Sequence, residues 1–318
     1  MKIKYASDKE VFKLEGFSDE NEKEGTEIKS IPQKYLSLPI REFIVKSSYN
    51  SAINTENLAE KKQIQRVLER GCRLVDFEIY TRENIEYVSY SNDPQYKSMN
   101  TVNDVDNRLP LSEAFNTLIG YAFTEPVPSP NDPLFIVLRI KNNSAEAYQR
   151  IATLIDFSFK NKLYNGKVRR ETPLSDLMGK VIIIMDTTSS PDYKNVKCLS
   201  SPCYDLSDYV QLEAGTIQFS KYTYTNLETL PQKPVMVNGM ETDVKSFMMI
   251  TPLRTDQLTM PNPNEVIEKW HPQFLLYKFY KPGKELNDYE EIFNKAQGAL
   301  VPISTIVKIE RKSNSDQQ

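Results

Sequence analysis

The sequence predicts an α/β protein built as a (β/α)₈ barrel. Three observations carry that expectation: short apolar runs rich in β-branched and aromatic residues, longer amphipathic stretches alternating with them, and eight such runs along one chain. The runs are FIVKSS (43–48), RLVDFEIY (73–80), IEYVSYS (85–91), LFIVLRI (134–140), VIIIMD (181–186), TIQFSKY (216–222), FMMIT (247–251) and QFLLYKFY (273–280). A continuous apolar run reads as a strand buried on both faces, the habit of a parallel sheet. The number of runs favours a closed barrel over an open doubly wound sheet, although periodicity by itself leaves that choice near even.

In chain order, residues 1–31 are charged and poor in branched apolar residues, which reads as a flexible arm. EKKQIQRVLERG (60–71) sets Ile64, Val67 and Leu68 on one helical face and stops at Gly71. LSEAFNTLIGYAF (111–123) and SAEAYQRIATLIDF (144–157) repeat the helical period, with Ser112 and Ser144 as expected N-caps. A turn-rich stretch at 187–205 divides the body into halves at 32–186 and 206–311. NEVIEKW (264–270) and DYEEIFNKA (288–296) continue the alternation, and 312–318 is a polar tail.

Composition narrows the function classes. With 318 residues and 39% hydrophobic content the chain can bury a large core. A net charge of -3, with Lys and Arg scattered among Asp and Glu, gives no basic stripe, so nucleic acid is not an expected partner. No apolar run is long enough to span a bilayer, and the N-terminus lacks a signal-peptide pattern, so the expectation is a soluble protein. Cys72, Cys198 and Cys203 lack metal-ligand spacing and read as free thiols of an intracellular reducing compartment, cytoplasm or virion, with Cys198 and Cys203 the pair able to bond. The chain has one histidine, His271, which excludes any mechanism taking two imidazoles from it.

Six segments in order carry a resemblance. They are PIREFIVKSSYNSA (39–52), GCRLVDFEIY (71–80), LPLSEAFNTLIGYAF (109–123), TPLSDLMGKVIII (172–184), LSDYVQLEAGTIQFSKY (206–222) and WHPQFLLYKFYKPGKELNDYEEIFNKAQGALVPI (270–303). Together they resemble the X and Y regions of the eukaryotic phosphoinositide-specific phospholipase C catalytic barrel. The resemblance implies a TIM-type barrel of X-like and Y-like halves with a short linker, without the flanking pleckstrin-homology, EF-hand and C2 modules. It also implies a chemistry to test: two histidines act as acid, base or stabiliser, and a bound Ca²⁺ lowers the pKa of the inositol 2-hydroxyl.

On that resemblance the histidine positions fall on Tyr49 and Tyr90, and a phenol with a pKa near 10 is a poor base at neutral pH. Asn50 keeps the family asparagine of the metal site, while Asp76 and Glu78 supply two carboxylates at i, i+2 on one strand face, an incomplete Ca²⁺ site. The remaining ligand position falls near Arg139, Ile140 or Lys141, where a cation would displace Ca²⁺ or pair with the acids. The headgroup lysines align with Ile184 and Asp186, and Arg254 survives in a weak LRTD match.

The expected function is a catalytically inactive phospholipase C-like scaffold with protein partners and no required cofactor. A composition rich in Lys, Asn, Ile and Tyr adds a possible origin as a large-DNA-virus virion or capsid component. The alternatives are a non-hydrolytic membrane or phosphoinositide binding module and a phosphodiesterase with altered catalytic residues.

Overall fold

The structure, a computed structural model, describes residues 27–308 except 94, 96–98, 100, 103–104, 142, 199–201, 231–246 and 258. The N-terminal arm up to residue 26 and the 312–318 tail therefore lie outside the described residues.

Eight strands build the barrel: β1 Phe43–Ser48, β2 Leu74–Arg82, β3 Leu134–Ile140, β4 Val181–Asp186, β5 Leu212–Ala214, β6 Phe219–Thr223, β7 Phe247–Thr251 and β8 Phe274–Tyr277. Their hydrogen-bonded path runs β6-β7-β8-β1-β2-β3-β4-β5, parallel throughout. Registers such as Val45 with Phe274, Glu78 with Arg139 and Ile184 with Leu212 fix which side chains share a level. The outer layer includes α1 Lys61–Glu69, α2 Leu111–Tyr121, α3 Ala145–Phe159, α4 Pro263–Trp270 and α5 Lys284–Ala296. No helix among the described residues is long and apolar enough to cross a membrane.

One of the expected strands is something else. The run beginning at Ile85 forms a hairpin arm, Ile85–Ser89, antiparallel to β2. Glu83 and Asn84, the two-residue connection, both take positive φ (52° and 61°), as a tight hairpin turn requires. A parallel neighbour needs a crossover of about a dozen residues, so this run could not have been a barrel strand. The missing place is filled by β5, three residues too short to stand out as an apolar run.

The same rule explains the seam. Only residues 215–218 separate β5 from β6, so the two strands, the ends of the path, cannot pair with each other in parallel. Their turn is closed by Gly215 N–H donating to Phe219 O at 2.8 Å.

The lower interior is filled by rings. Phe274 lies 5.3 Å from Phe135 and 5.5 Å from Phe219, and Phe219 lies 5.7 Å from Phe247, each on a different strand. This packed layer separates the barrel floor from the mouth at the C-terminal strand ends. At the floor Ile28 and Ile31 are buried, Ile31 N–H donates to Asp132 Oδ1, and Lys29 bridges Gly298, so the packed body reaches back beyond residue 32. Gly71, at φ +84°, leaves room for Ile28: a Cβ there would meet its Cδ1 at 2.4 Å.

Two smaller expectations are corrected. Ser112 lies inside α2, whose N-cap is Pro110 with no side-chain bond, whereas Ser144 does cap α3 by accepting from Ala147 N–H at 3.1 Å. Pro110, at φ -52° and ψ 132°, leaves the helical region and sets the helix boundary ahead of Ser112. Cys198 and Cys203 are joined as a disulfide across a Cα separation of 5.7 Å, rather than both being free thiols. Cys72 alone is a free, buried thiol, its pKa pushed up to about 12 chiefly by burial. The bridge removes the ground on which a reducing compartment was expected.

Candidate functional site

The mouth is assembled from the ends of β1, β2 and β3. After β1 the chain turns through Tyr49 and Asn50, and Asn50 adopts φ 46°, a left-handed conformation that asparagine tolerates better than most residues. The turn is stitched to β2: Asn50 N–H donates to Asp76 Oδ2 and Ser51 N–H to Asp76 O, each at 2.9 Å, while Asp76 N–H donates to Ser51 Oγ at 2.9 Å. Asp76 and Glu78 thus stand side by side beneath Asn50, all three almost wholly buried.

Arg139, on β3 in register with Glu78, enters the space between them. Its Nε donates to Asp76 Oδ1 at 2.8 Å, Nη2 to Asp76 Oδ2 at 2.8 Å, and Nη1 to Glu78 Oε2 at 2.7 Å. Nη2 also donates to Asn50 Oδ1, whose partner Nδ2 donates to Thr255 Oγ1 at 2.6 Å. The Tyr49 ring covers the guanidinium at 4.6 Å from its centroid. Burial alone would depress the Arg139 pKa, but Asp76, Tyr49 and Glu78 around it hold it well above the ordinary arginine value. The residues expected to hold a metal, Asn50, Asp76 and Glu78, are brought together, and a guanidinium fills the space among their oxygens.

The second acid also has its neighbours. Glu78 Oε1 accepts from the Tyr80 hydroxyl and from Ser91 N–H at 3.1 Å. Burial first, then the charge of Glu78, raises the Tyr80 pKa, the wrong direction for a base. Tyr90, next to Ser91, is buried at the hairpin end. Tyr280 is likewise pushed well above its ordinary value, by burial and then by Tyr49.

Two cations of the mouth, Lys221 and Lys278, were not expected from the sequence, whereas Lys141 was named beside Arg139. Asp186, which aligns with a headgroup lysine, pairs with Lys221 on β6 at 2.7 Å, and Thr188 and Ser189 hydroxyls donate to it at 2.6 and 3.1 Å. Burial would raise its carboxyl, but Lys221, Thr188 and Arg139 together outweigh that and the net shift is downward. Lys141 reaches Ser189 Oγ at 3.2 Å, its pKa lowered to about 8 by burial and then by Arg139. Lys278 donates to the backbone carbonyls of Arg254, Thr255 and Gln257 at 2.8, 2.9 and 2.6 Å, and burial lowers it to about 7. Lys141 had a signal in the i, i+2 alternation of VLRIKN; Lys221 and Lys278 had none, because their partners are distant in sequence. Arg254 sits at the rim with Asp256, 3.1 Å away. His271 is the left-handed C-cap of α4 (φ 48°) just before β8, at the floor, the end of the barrel opposite Tyr49.

A parallel eight-stranded barrel with charged side chains grouped at the C-terminal strand ends is the TIM-type architecture. Residues 36–186 match the family described as "Phosphatidylinositol-specific phospholipase C, X domain". The fold of the whole barrel is similar to PLC21 of L. pealei, with 12% identity and a TM-score of 0.62 over 84% of this chain and 37% of that one. PLC21 of S. officinalis gives 12% identity and a TM-score of 0.55 with the same coverage, so the chain spans little more than a third of these relatives. A calcium-dependent phosphoinositol-specific phospholipase C from the Gram-negative bacterium Pseudomonas sp. gives 10% identity and a TM-score of 0.52, over 86% of this chain and 98% of that one. No curated protein sequence matches the chain.

Proposed function

We propose that this phospholipase C-type barrel does not hydrolyse phosphoinositides and serves as a scaffold for protein partners. The observation that carries the reading is the position of its one imidazole: His271 lies at the floor, while the residues aligned with the catalytic histidines, Tyr49 and Tyr90, are buried phenols. General acid and base catalysis near neutral pH needs a group that titrates there and reaches the reacting hydroxyl. A headgroup-binding role has less support, because Arg139, Lys221 and Lys278 are each engaged by carboxylates or carbonyls of the chain itself.

The test is release of inositol phosphate from phosphatidylinositol and its phosphorylated forms, with Ca²⁺ and with chelator, alongside a Tyr49→His, Tyr90→His double variant. The expected outcome is no turnover by the natural chain in either condition. Ca²⁺-dependent turnover abolished by Asp76→Asn would overturn the scaffold reading.

A further inference from the structure

The mouth treated in the preceding reading poses a separate question, which is what neutralises its two buried acids. The oxygens facing inward are Asn50 Oδ1, both oxygens of Asp76 and Glu78 Oε2, and each accepts a hydrogen bond from Arg139. A guanidinium presents its donors in a fixed planar fork, and its Nε and Nη2 grip both oxygens of Asp76. Other donors reach the carboxylates as well: Asp76 Oδ2 accepts from Asn50 N–H, and Glu78 Oε1 from Tyr80 and Ser91.

Ca²⁺ would have to come within about 2.3–2.6 Å of these oxygens and to gather six to eight of them. The chain offers four inward oxygens, the guanidinium nitrogens already stand 2.7–2.8 Å from the carboxylates, and the Tyr49 ring covers the guanidinium where waters would complete a coordination sphere. Charge agrees with geometry, since a second positive ion would enter beside a buried guanidinium. The donor set therefore does not fit a divalent ion while Arg139 is present.

We infer that the Arg139 guanidinium is the resident cation of this site, tethered to β3 where an open site would take a divalent ion from solution, and that removing it turns Asn50, Asp76 and Glu78 into a Ca²⁺-binding site. The same oxygens serve either cation, and the chain carries one of them covalently. The mouth accordingly keeps its arrangement under metal chelation.

The experiment measures thermal unfolding of the full chain and of Arg139→Ala in chelator, in Mg²⁺ and in millimolar Ca²⁺, with tyrosine-sensitised Tb³⁺ emission as a second readout. The natural chain is expected to unfold at one temperature in all three buffers and to give no sensitised emission. Arg139→Ala should melt lower in chelator, regain stability with Ca²⁺ by mass action and sensitise Tb³⁺, and lose both responses when Asp76→Asn is added. If Arg139→Ala does not fold, Arg139→Gln takes its place, the shorter amide leaving the cation's place uncharged. A Ca²⁺-dependent shift or Tb³⁺ emission in the natural chain overturns the inference, as does a folded variant that responds to neither ion. Turnover of lipid in chelator would overturn the scaffold reading while leaving the arginine in place, so the two failures are distinguishable.

Discussion

Two arginines are buried at opposite ends of this barrel, and they are satisfied in different ways. At the floor, Arg73 donates to Pro133 O at 3.1 Å, to Ala122 O at 2.8 Å and to Asp132 O, all backbone carbonyls of the segment between α2 and β3. At the mouth, Arg139 donates to side chains, two of them carboxylates. The consequence appears in their acidity: burial outweighs the nearby charge of Asp132 and lowers Arg73 to about 10, whereas the anions in direct contact lift Arg139 well above its ordinary value. Carbonyl partners belong to the path of the chain and survive most substitutions nearby. Carboxylate partners belong to particular residues, so the mouth can be rewritten by changing a few side chains while the floor holds the fold.

The largest expected effect that would break this contrast is at the mouth. Arg139→Met should lower the unfolding free energy by about 3–5 kcal/mol, because two carboxylates stay buried without their cation. Adding Asp76→Asn and Glu78→Gln should restore most of the loss. Urea denaturation of the single and triple variants checks this, and a single-variant cost below about 1 kcal/mol would mean that charge does not hold the mouth together.

At the floor the conservative change should be milder. Arg73→Lys keeps a positive charge among the carbonyl dipoles but cannot span all three, and about 1–3 kcal/mol is expected from the carbonyl left unpaired. A cost equal to that of Arg139→Met would erase the distinction between the two ends.

The floor also carries a pH dependence that sharpens the comparison. Asp132 is pushed up to about 6, by burial against the opposing pull of Arg73. Its folded pKa therefore exceeds its unfolded one, so the folded state holds the proton more tightly and this contribution is complete below about pH 4 and lost as pH rises through about 6. Asp132→Asn should flatten that fall in a series of denaturation midpoints across the same window. The smallest effect expected is Thr255→Val at the mouth, which removes the acceptor of Asn50 Nδ2 and should cost about 1 kcal/mol in the same assay.

Much of the fold was readable because continuous apolar runs report strands buried on both faces, and seven of the eight expected runs are barrel strands. The exception, at Ile85, turned on a two-residue connection that only an antiparallel arm can use, and β5 was too short to produce a run at all. At the site, Asn50, Asp76 and Glu78 were legible from an order of motifs, and Arg139 was named as a cation near the acids. Its role depended on a cross-strand register, Glu78 beside Arg139, that no single run records. The pairing of Asp186 with Lys221 joins β4 to β6 across the β5/β6 seam, a relation that spacing along the chain does not express.

The seam between β5 and β6 gives the barrel the mechanics of a rolled strip with two free margins. Amide hydrogens at the margins, on β5 and β6, should exchange with solvent sooner than those in the middle of the strip, where breaking one ladder leaves its neighbours laced. The middle is β8, β1, β2 and β3, and three of those strands carry or lead into Asn50, Asp76, Glu78 and Arg139. The ionic lock of the mouth is therefore mounted on the part of the strip that breathes least, and the edge can loosen while the lock stays shut.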